Sequence, residues 1–320
     1  MIRPVARQDL PGLLKLLHWM DESPKRGVLA PEARDLEGLA EELEDGLVLL
    51  RDGEVAGYVG LYAFWDGAAL EGPLAYREED LPPLLQAAEK RASELHLDRL
   101  YAFPREENHT LRQVLEEADF GLLHLTYFFV KNPEGLDYPP PEGVVIRKGF
   151  PGPGVYRELY RESEEGWALR LKWTDEELWE HFQDPHVHLL VAYRGDEPVG
   201  LAEVELEDRE ASVAYIGVVP KARGQGIGRA LLAEAAKLAQ KKGATLLRVR
   251  AHDHETGALE LYRNLGFSLE EAVATYAKEL RDVNATRNIL RLERSLWALT
   301  SAAGVAQGQR SYLLVVAAGF

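Results

Sequence analysis

Apolar positions recur along this chain with two periods, and the switches between them mark the elements. His188-Leu-Leu-Val-Ala-Tyr193, the turn Gly195-Asp196 and the stretch Val199 to Glu207 read as strand, tight turn and strand. Tyr215-Ile-Gly-Val-Val-Pro220 is a short apolar run stopped by proline. From Arg229 to Ala239 the period becomes helical, and Leu246 to Ala251 returns to a strand. Gly257 to Phe267 reads as a helix closed by a Gly-Phe turn, and Ala274 to Leu280 as a final strand. Upstream, Val144 to Arg147 reads as a strand and Val155 to Glu165 as a helix. Thr174-Asp-Glu-Glu177 has the capping-box spacing, so a further helix starts there. Trp167, Trp173 and Trp179 fall in this helical region, as core aromatics or as a wall of a binding site.

The same order occurs twice. Shifted by 147 residues, Leu231-Leu232 fall on Leu84-Leu85, Leu247 on Leu100, and Phe267 on Phe120. Further upstream the shift is 143, so that Val191 meets Val48 and Gly200 meets Gly57. The four-residue difference is expected in a hairpin between two strands. A repeat of this length means duplicated domains. The stretch 132–143, rich in Pro and Gly, reads as a stiff linker. The expected organisation is a first domain over 1–131, the linker, a second domain over 144–280, and a tail over 281–320. In the tail, Leu290 to Leu299 reads as a helix and Ser311 to Ala318 as a strand; five Arg against two acids make it basic.

Composition narrows the possibilities. The 320 residues are 46% hydrophobic, enough for two cores. A net charge of −16 speaks against a nucleic-acid partner and mildly for cationic ones. No cysteine is present, so disulfides and thiolate chemistry are excluded. Met1 to Arg7 has no signal-peptide core and no apolar run approaches a membrane span, which together read as a cytoplasmic protein.

Between the run ending at Pro220 and the helix from Arg229 lies Arg223-Gly-Gln-Gly-Ile-Gly228. Glycines let the backbone close on a ligand, and the first N–H groups of the helix have no internal partner. Together they make an anion site. The spacing fits neither the nucleoside-triphosphate loop nor the dinucleotide fingerprint. It matches [RQ]-x-x-G-x-[GA], and Gly257 to Phe267 downstream matches A-x-x-L-Y-x-x-x-G-F. With both motifs in order, the chain resembles the GCN5-related N-acetyltransferase (GNAT) family, in a tandem form similar to mycothiol synthases. The fold implied is α/β (α+β): two GNAT-like domains, each a mixed, mostly antiparallel sheet flanked by helices, with a C-terminal appendage.

The resemblance implies transfer of an acetyl group from acetyl-CoA to an amine, in the second domain. The acceptor is a small-molecule amine or a protein N-terminal amine, with no nucleic acid, membrane or metal involved, and the protein a monomer or homodimer. The alternatives are a non-catalytic CoA-binding module and transfer of another acyl group. By the same resemblance the pyrophosphate goes to the amides of Gln225, Gly226, Ile227, Gly228 and Arg229, with Gly224 shaping the loop and Arg223 adding charge. The pantetheine arm runs beside Gly217, Val218 and Val219, where this strand splays from the next, and the Val218 amide polarises the thioester carbonyl. Tyr262 matches the family's general acid.

The base is less well marked. Tandem relatives have a glutamate where this chain has Ser212. Glu210, on the same strand face, is the candidate singled out; Glu203, Glu205, His252 and His254 are the others. His252-Asp253-His254-Glu255 has two possible metal ligands but no evident third. In the first repeat, Tyr76-Arg-Glu-Glu-Asp-Leu81 is expected opposite the glycine loop, Leu115 opposite Tyr262, and Asn108 opposite Glu255. The first domain is therefore expected to act as a scaffold or lid.

Overall fold

The computed structural model describes residues 1–280, apart from 44, 65 and 164–168. The predicted tail elements and Trp167 lie outside the described residues. Two compact units are present. Unit one comprises Met1–Thr126 with residues 272–280, and unit two comprises Tyr127–Glu271.

In unit one the chain runs β1 (Ile2–Pro4), α1 (Leu10–Asp21), α2 (Leu36–Glu42), β2 (Gly46–Arg51), β3 (Glu54–Phe64), β4 (Gly67–Ala75), α3 (Leu81–Glu94), β5 (Arg99–Ala102) and α4 (His109–Glu117). The strand β6 (Gly121–Lys131) leads into unit two. There follow β7 (Val144–Lys148), α5 (Pro153–Ser163), α6 (Asp175–Gln183), β8 (Val187–Arg194), β9 (Glu197–Glu207), β10 (Glu210–Val218), α7 (Ile227–Lys241), β11 (Leu246–His252) and α8 (Thr256–Asn264). The last strand, β12 (Ser268–Glu279), returns to unit one.

Strand order is β1-β2-β3-β4-β5-β12 in unit one and β6-β11-β10-β9-β8-β7 in unit two. Most strand pairs are antiparallel, whereas β4–β5 and β10–β11 are parallel. Tight connections such as Arg194↔Glu197 and Glu207↔Glu210 fix the hairpin registers. This is the mixed sheet that the period changes and the family resemblance imply. Unit one takes its sixth strand from beyond unit two: Tyr276 to Glu279 pair with Ala102 to Arg99.

Each unit has its own core. In unit two, Ile227, Leu231 and Ala235 of α7 share a core with Ala202, Val204 and Leu247. Close packing explains a bare position at Gly200, where a Cβ would lie 3.2 Å from Leu231 and 3.3 Å from Ile227. In unit one, Leu84, Leu85 and Ala88 of α3 share a core with Val59, Leu100 and Tyr276. The capping box forms as read: Thr174 Oγ1 accepts from the Glu177 N–H at 3.2 Å, and Thr174 N donates to Glu177 Oε2 at 2.7 Å.

Tyr276 is fully buried, and its hydroxyl donates to Glu116 at 2.6 Å. Tyr276→Ala is therefore expected to destabilise unit one by about 3–5 kcal/mol. Denaturant titration checks this, and an unchanged midpoint would show that β12 adds nothing to that core.

Candidate active site

The site begins where two strands part. β10 and β11 pair in parallel at Glu210↔Leu246, Ala211↔Leu247 and Ser212↔Arg248, and no further. Beyond Ser212 the two strands diverge. A register shift between Val213 and Tyr215 on the β9 side marks a bulge that re-aims β10. Arg250 reaches across the narrow end of the opening, its Nη2 donating to Ala214 O at 3.4 Å. On the other edge β10 stays paired with β9 as far as Val218↔Gly200, and Val219 N donates to Val199 O at 3.0 Å. N–H groups alternate along a strand, so that of Val218 faces the opening.

At the wide end of the opening lies the glycine loop. A 3-10 turn, Pro220–Ala222, precedes it and α7 follows. Gly224 and Gly226 have φ of 72° and 86°, a left-handed conformation that favours glycine, and space beside both is open. Among the described residues, the N–H groups of Gly224, Gln225 and Gly226 make no backbone hydrogen bond. Those of Ile227, Gly228 and Arg229, in the first turn of α7, have no carbonyl four residues back within the helix. Donors thus converge at the positive end of a 15-residue helix. The side chains do other work. Arg223 donates from Nε to Val218 O at 2.9 Å and from Nη2 to Ser163 O at 3.1 Å, tying the loop to the end of β10 and to α5. Arg194 at the end of β8 donates to the Gln225 side chain. The Arg229 guanidinium lies 5.2 Å from the centre of the Tyr138 ring.

Next to this loop stands α8. A Cβ on Gly228 would be 3.8 Å from Leu261 and 3.9 Å from Val218, so Gly228, Val218 and the helix of Tyr262 adjoin one another. Tyr262 is fully buried between Phe129 and Phe267, with ring centroids 5.9 and 5.8 Å away. Burial, with the nearby Glu255 charge, pushes the Tyr262 phenol well above the usual tyrosine range despite Arg250. Tyr262 therefore keeps its proton at any ordinary pH. Glu255 is turned inward on its own turn: its Oε2 accepts from His252 N at 2.6 Å.

Glu210 is not among these residues. It starts β10, exposed, with Arg248 Nη2 at 3.8 Å. Seven residues at about 3.3 Å each separate it from Gly217, roughly 20 Å along the strand. His252 and His254 stack on each other with centroids 5.4 Å apart.

A different cluster does lie on the face of β9 and β10 covered by α5. Tyr156, Tyr160 and Tyr215 form a column: Tyr156–Tyr160 centroids are 5.7 Å apart and Tyr160–Tyr215 4.6 Å. Tyr215 Oη lies 2.9 Å from Ser163 Oγ, and a Cβ on Gly217 would fall 2.7 Å from both oxygens. The column therefore begins at Gly217 and ends on Glu203. Fully buried, Glu203 accepts from His181 Nε2 at 2.6 Å and from Arg170 Nη2 at 2.8 Å, with Tyr156 Oη at 3.5 Å. Arg170 lies 4.5 Å over the Trp173 ring, so Trp173 supports the cluster; Trp179, packed on Phe150 at 4.9 Å, is half exposed. His181, Glu203 and Glu205 offer ligand atoms within 4.8 Å of one another. Arg170 and His181 already occupy Glu203 Oε1, and a guanidinium there competes with any cation.

With this geometry in view, known proteins can be compared. The acetyltransferase (GNAT) family matches residues 154–267, which hold the opening, the glycine loop and Tyr262. Residues 154–267 thus carry the likeness to the GNAT family. An uncharacterized N-acetyltransferase of Methanocaldococcus jannaschii is 28% identical over 137 residues, 40% of this chain and 60% of that protein. A mycothiol acetyltransferase of Streptomyces griseus is 29% identical over 147 residues, 43% of this chain and 48% of that one. A spermidine N(1)-acetyltransferase of Thermoplasma acidophilum is 28% identical over 122 residues, 37% of this chain and 73% of that one. The match thus spans 60% and 48% of the first two relatives' own length. In fold, a GCN5-related N-acetyltransferase from Sphaerobacter thermophilus superposes with TM-score 0.68 at 20% identity, covering 88% of this chain and 96% of that one. A tandem GNAT protein from the clavulanic acid biosynthesis pathway gives 0.61 at 14%, covering 88% and 99%.

The two units differ in how the opening is used. In unit one β4 and β5 also pair only briefly, at Ala68↔Leu100 and Ala69↔Tyr101. There the gap holds the chain's own residues 27–30. Leu29 O accepts from Gly72 N at 2.7 Å and Leu29 N donates to Phe103 O at 3.1 Å. Gly27 O accepts from Arg105 N at 2.9 Å and from Asn108 Nδ2 at 3.1 Å. This accounts for Asn108 in a repeat without the loop: its amide holds the inserted backbone. The four-residue offset also falls elsewhere than expected. Ala211 stands 143 residues beyond Ala68, whereas Leu247, its partner, stands 147 beyond Leu100. Both hairpins before β4 and β10 have the same length, Phe64↔Gly67 and Glu207↔Glu210. In unit one α3 starts directly after the 3-10 turn Glu78–Asp80, whereas Arg223 to Gly226 separate the matching turn from α7. The difference is thus the glycine loop itself, absent from unit one rather than replaced by acidic residues. Asp80, buried at the N-cap of α3, accepts there from Arg51 Nη2 at 2.6 Å and Nε at 2.9 Å.

Desolvation pushes the Glu203 carboxyl up, but Arg170 and His181 together outweigh it and hold it below the usual glutamate value. A depressed carboxyl stabilises the fold above its unfolded pKa, and that stability is lost as pH falls through the folded pKa. Glu203→Gln is expected to flatten this acid limb in denaturant titrations at graded pH. An unaltered limb would remove Glu203 as its source.

Proposed function

We propose that the protein is an acetyl-CoA-dependent N-acetyltransferase working in the second repeat, residues 144–280, on a small-molecule amine or a protein N-terminal amine. The observation that carries this reading is the joint placement of three features: a parted β10–β11 pair, unpartnered amides at α7, and a proton-holding phenol on α8, the helix whose Leu261 adjoins Gly228. The named acetyltransferases among the relatives support it.

The residues fit the carrier. Pyrophosphate suits the amides of Gln225 to Arg229, whose loop bends through Gly224 and Gly226 and is held by Arg223, Arg194 and the turn at Pro220. The pantetheine arm suits Gly217, Val218 and Val219, where the N–H of Val218 faces the opening to polarise a carbonyl. Acetyl-CoA supplies an acetyl group activated as a thioester. The acceptor must lose a proton before its nitrogen lone pair can attack. As the C–N bond forms and the C–S bond breaks, the Tyr262 phenol donates its proton to the departing sulfur. A pKa raised by burial keeps that proton available until the thiolate develops. The net charge of −16 favours cationic acceptors in encounter.

Three measurements test the assignment. Calorimetry is expected to give one CoA per chain, since unit one's gap holds residues 27–30; two would contradict the sealed repeat. Gly226→Glu, which strains a left-handed position and sets a carboxylate at the helix mouth, is expected to abolish CoA binding. Tyr262→Phe is expected to lower kcat about 100-fold while leaving CoA affinity unchanged. The assay is thiol release with an amine panel that includes spermidine. Tight CoA binding without turnover of any amine would point instead to a regulatory module.

A further inference from the structure

We propose that Glu205 is the general base that takes the acceptor's proton, supplied from β9 rather than from β10. This rests on the acetyltransferase reading above.

The placement is geometric. Ser212 occupies the β10 position where tandem relatives are expected to have their glutamate. Directly opposite Ser212 on the neighbouring strand stands Glu205. Directly opposed residues on one face have Cβ atoms about 5 Å apart, within the reach of a glutamate side chain. The pairs Glu205↔Ser212, Glu203↔Tyr215 and Leu201↔Gly217 put all six residues on the face covered by α5. Glu205 thus delivers a carboxylate to the level of Ser212, on the side that leads past Tyr215 to Gly217.

Its neighbours are already committed. Glu203 accepts from Arg170, His181 and Tyr156 and is fully buried, so it has no capacity for a substrate proton. Half-buried Glu205 makes no hydrogen bond or ion pair among the described residues. The groups acting on it are Glu203 on β9, Arg170 before α6, His181 on α6 and Asp184 after it, while β8 and β10 present uncharged Val187 and Ser212. Desolvation raises the Glu205 carboxyl above the usual glutamate value, and repulsion from Glu203 adds to this, only partly offset by Arg170 and His181. A base raised toward neutrality is better matched to an ammonium than an ordinary carboxylate. Its step is a proton transfer alone: the ammonium gives one proton through a relay of waters to Glu205, and a neutral amine remains. The Arg170–Glu203–His181 group positions it.

The experiment compares the parent, Glu205→Gln and Glu205→Gln with Ser212→Glu, by thiol release across pH, with CoA affinity as the check on folding. For the parent, kcat/KM is expected to fall as pH drops through a pKa above the ordinary glutamate value. Glu205→Gln is expected to lose about 100-fold at neutral pH with CoA affinity intact, and to lose that limb. Adding Ser212→Glu is expected to recover at least ten-fold, because it returns a carboxylate to the same level from the other strand. A Glu205→Gln rate within two-fold of the parent, with the same acid limb, overturns the proposal. So does a double variant no faster than Glu205→Gln. Silence of the parent toward every amine overturns the acetyltransferase reading and this base with it; an active parent with an indifferent Glu205 overturns the base alone.

Discussion

Everything in the site follows from the end of pairing between β10 and β11 after Ser212. A parallel pair that stayed together would bury its N–H and C=O groups in the ladder and present no edge. By parting, β10 keeps one edge bonded to β9 and turns the other to the opening. The bulge at Ala214 is the local device, because one extra residue re-aims everything from Tyr215 to Val218. Where β10 ends, the chain must turn into α7, and the glycine loop makes that turn with its donors facing outward. Main-chain geometry therefore creates the cluster of free amides and the strand edge together, and the side chains of Arg223 and Arg194 hold them in place.

The opening occurs in both units, and they satisfy it differently. Backbone polar groups inside a protein must find partners. Unit one finds them within itself: Gly27 to Ala30 lie along the gap as a short strand would, with Asn108 fixing the first carbonyl. Asp80, gripped by Arg51, puts a fixed negative charge at the start of α3. A carboxylate and a length of backbone thus stand where a nucleotide carrier's charge and arm would otherwise be needed. Only unit two keeps the loop, so only there are the donors left for a ligand.

Legibility varied with the range of the interaction concerned. The glycine loop could be read because Gly224 and Gly226 need φ values that other residues resist, a strictly local demand. Tyr262 could be read because its motif lies on one helix and turn. Glu210 was singled out because it shares a strand face with Ser212, yet the fold leaves it at the distant end; that Glu205 stands opposite Ser212 depends on strand register across a hairpin, which no local pattern shows. The insertion of Gly27 to Ala30 was also hidden, because four ordinary residues carry no mark of the strands they join some 40 and 75 positions later. The offset was misplaced for a related reason. Matching residues in line cannot tell a missing loop from a shorter hairpin, whereas paired strands can.

The final strand has a consequence for how the protein is made. Unit one's sheet is complete only when Tyr276 to Glu279 have paired with β5. On a ribosome, the first-made half therefore waits, its β5 edge uncovered, until almost all of the second half has been synthesised. A strand made after unit two thus closes a unit begun before it, so the order of synthesis and the order of completion run in opposite directions.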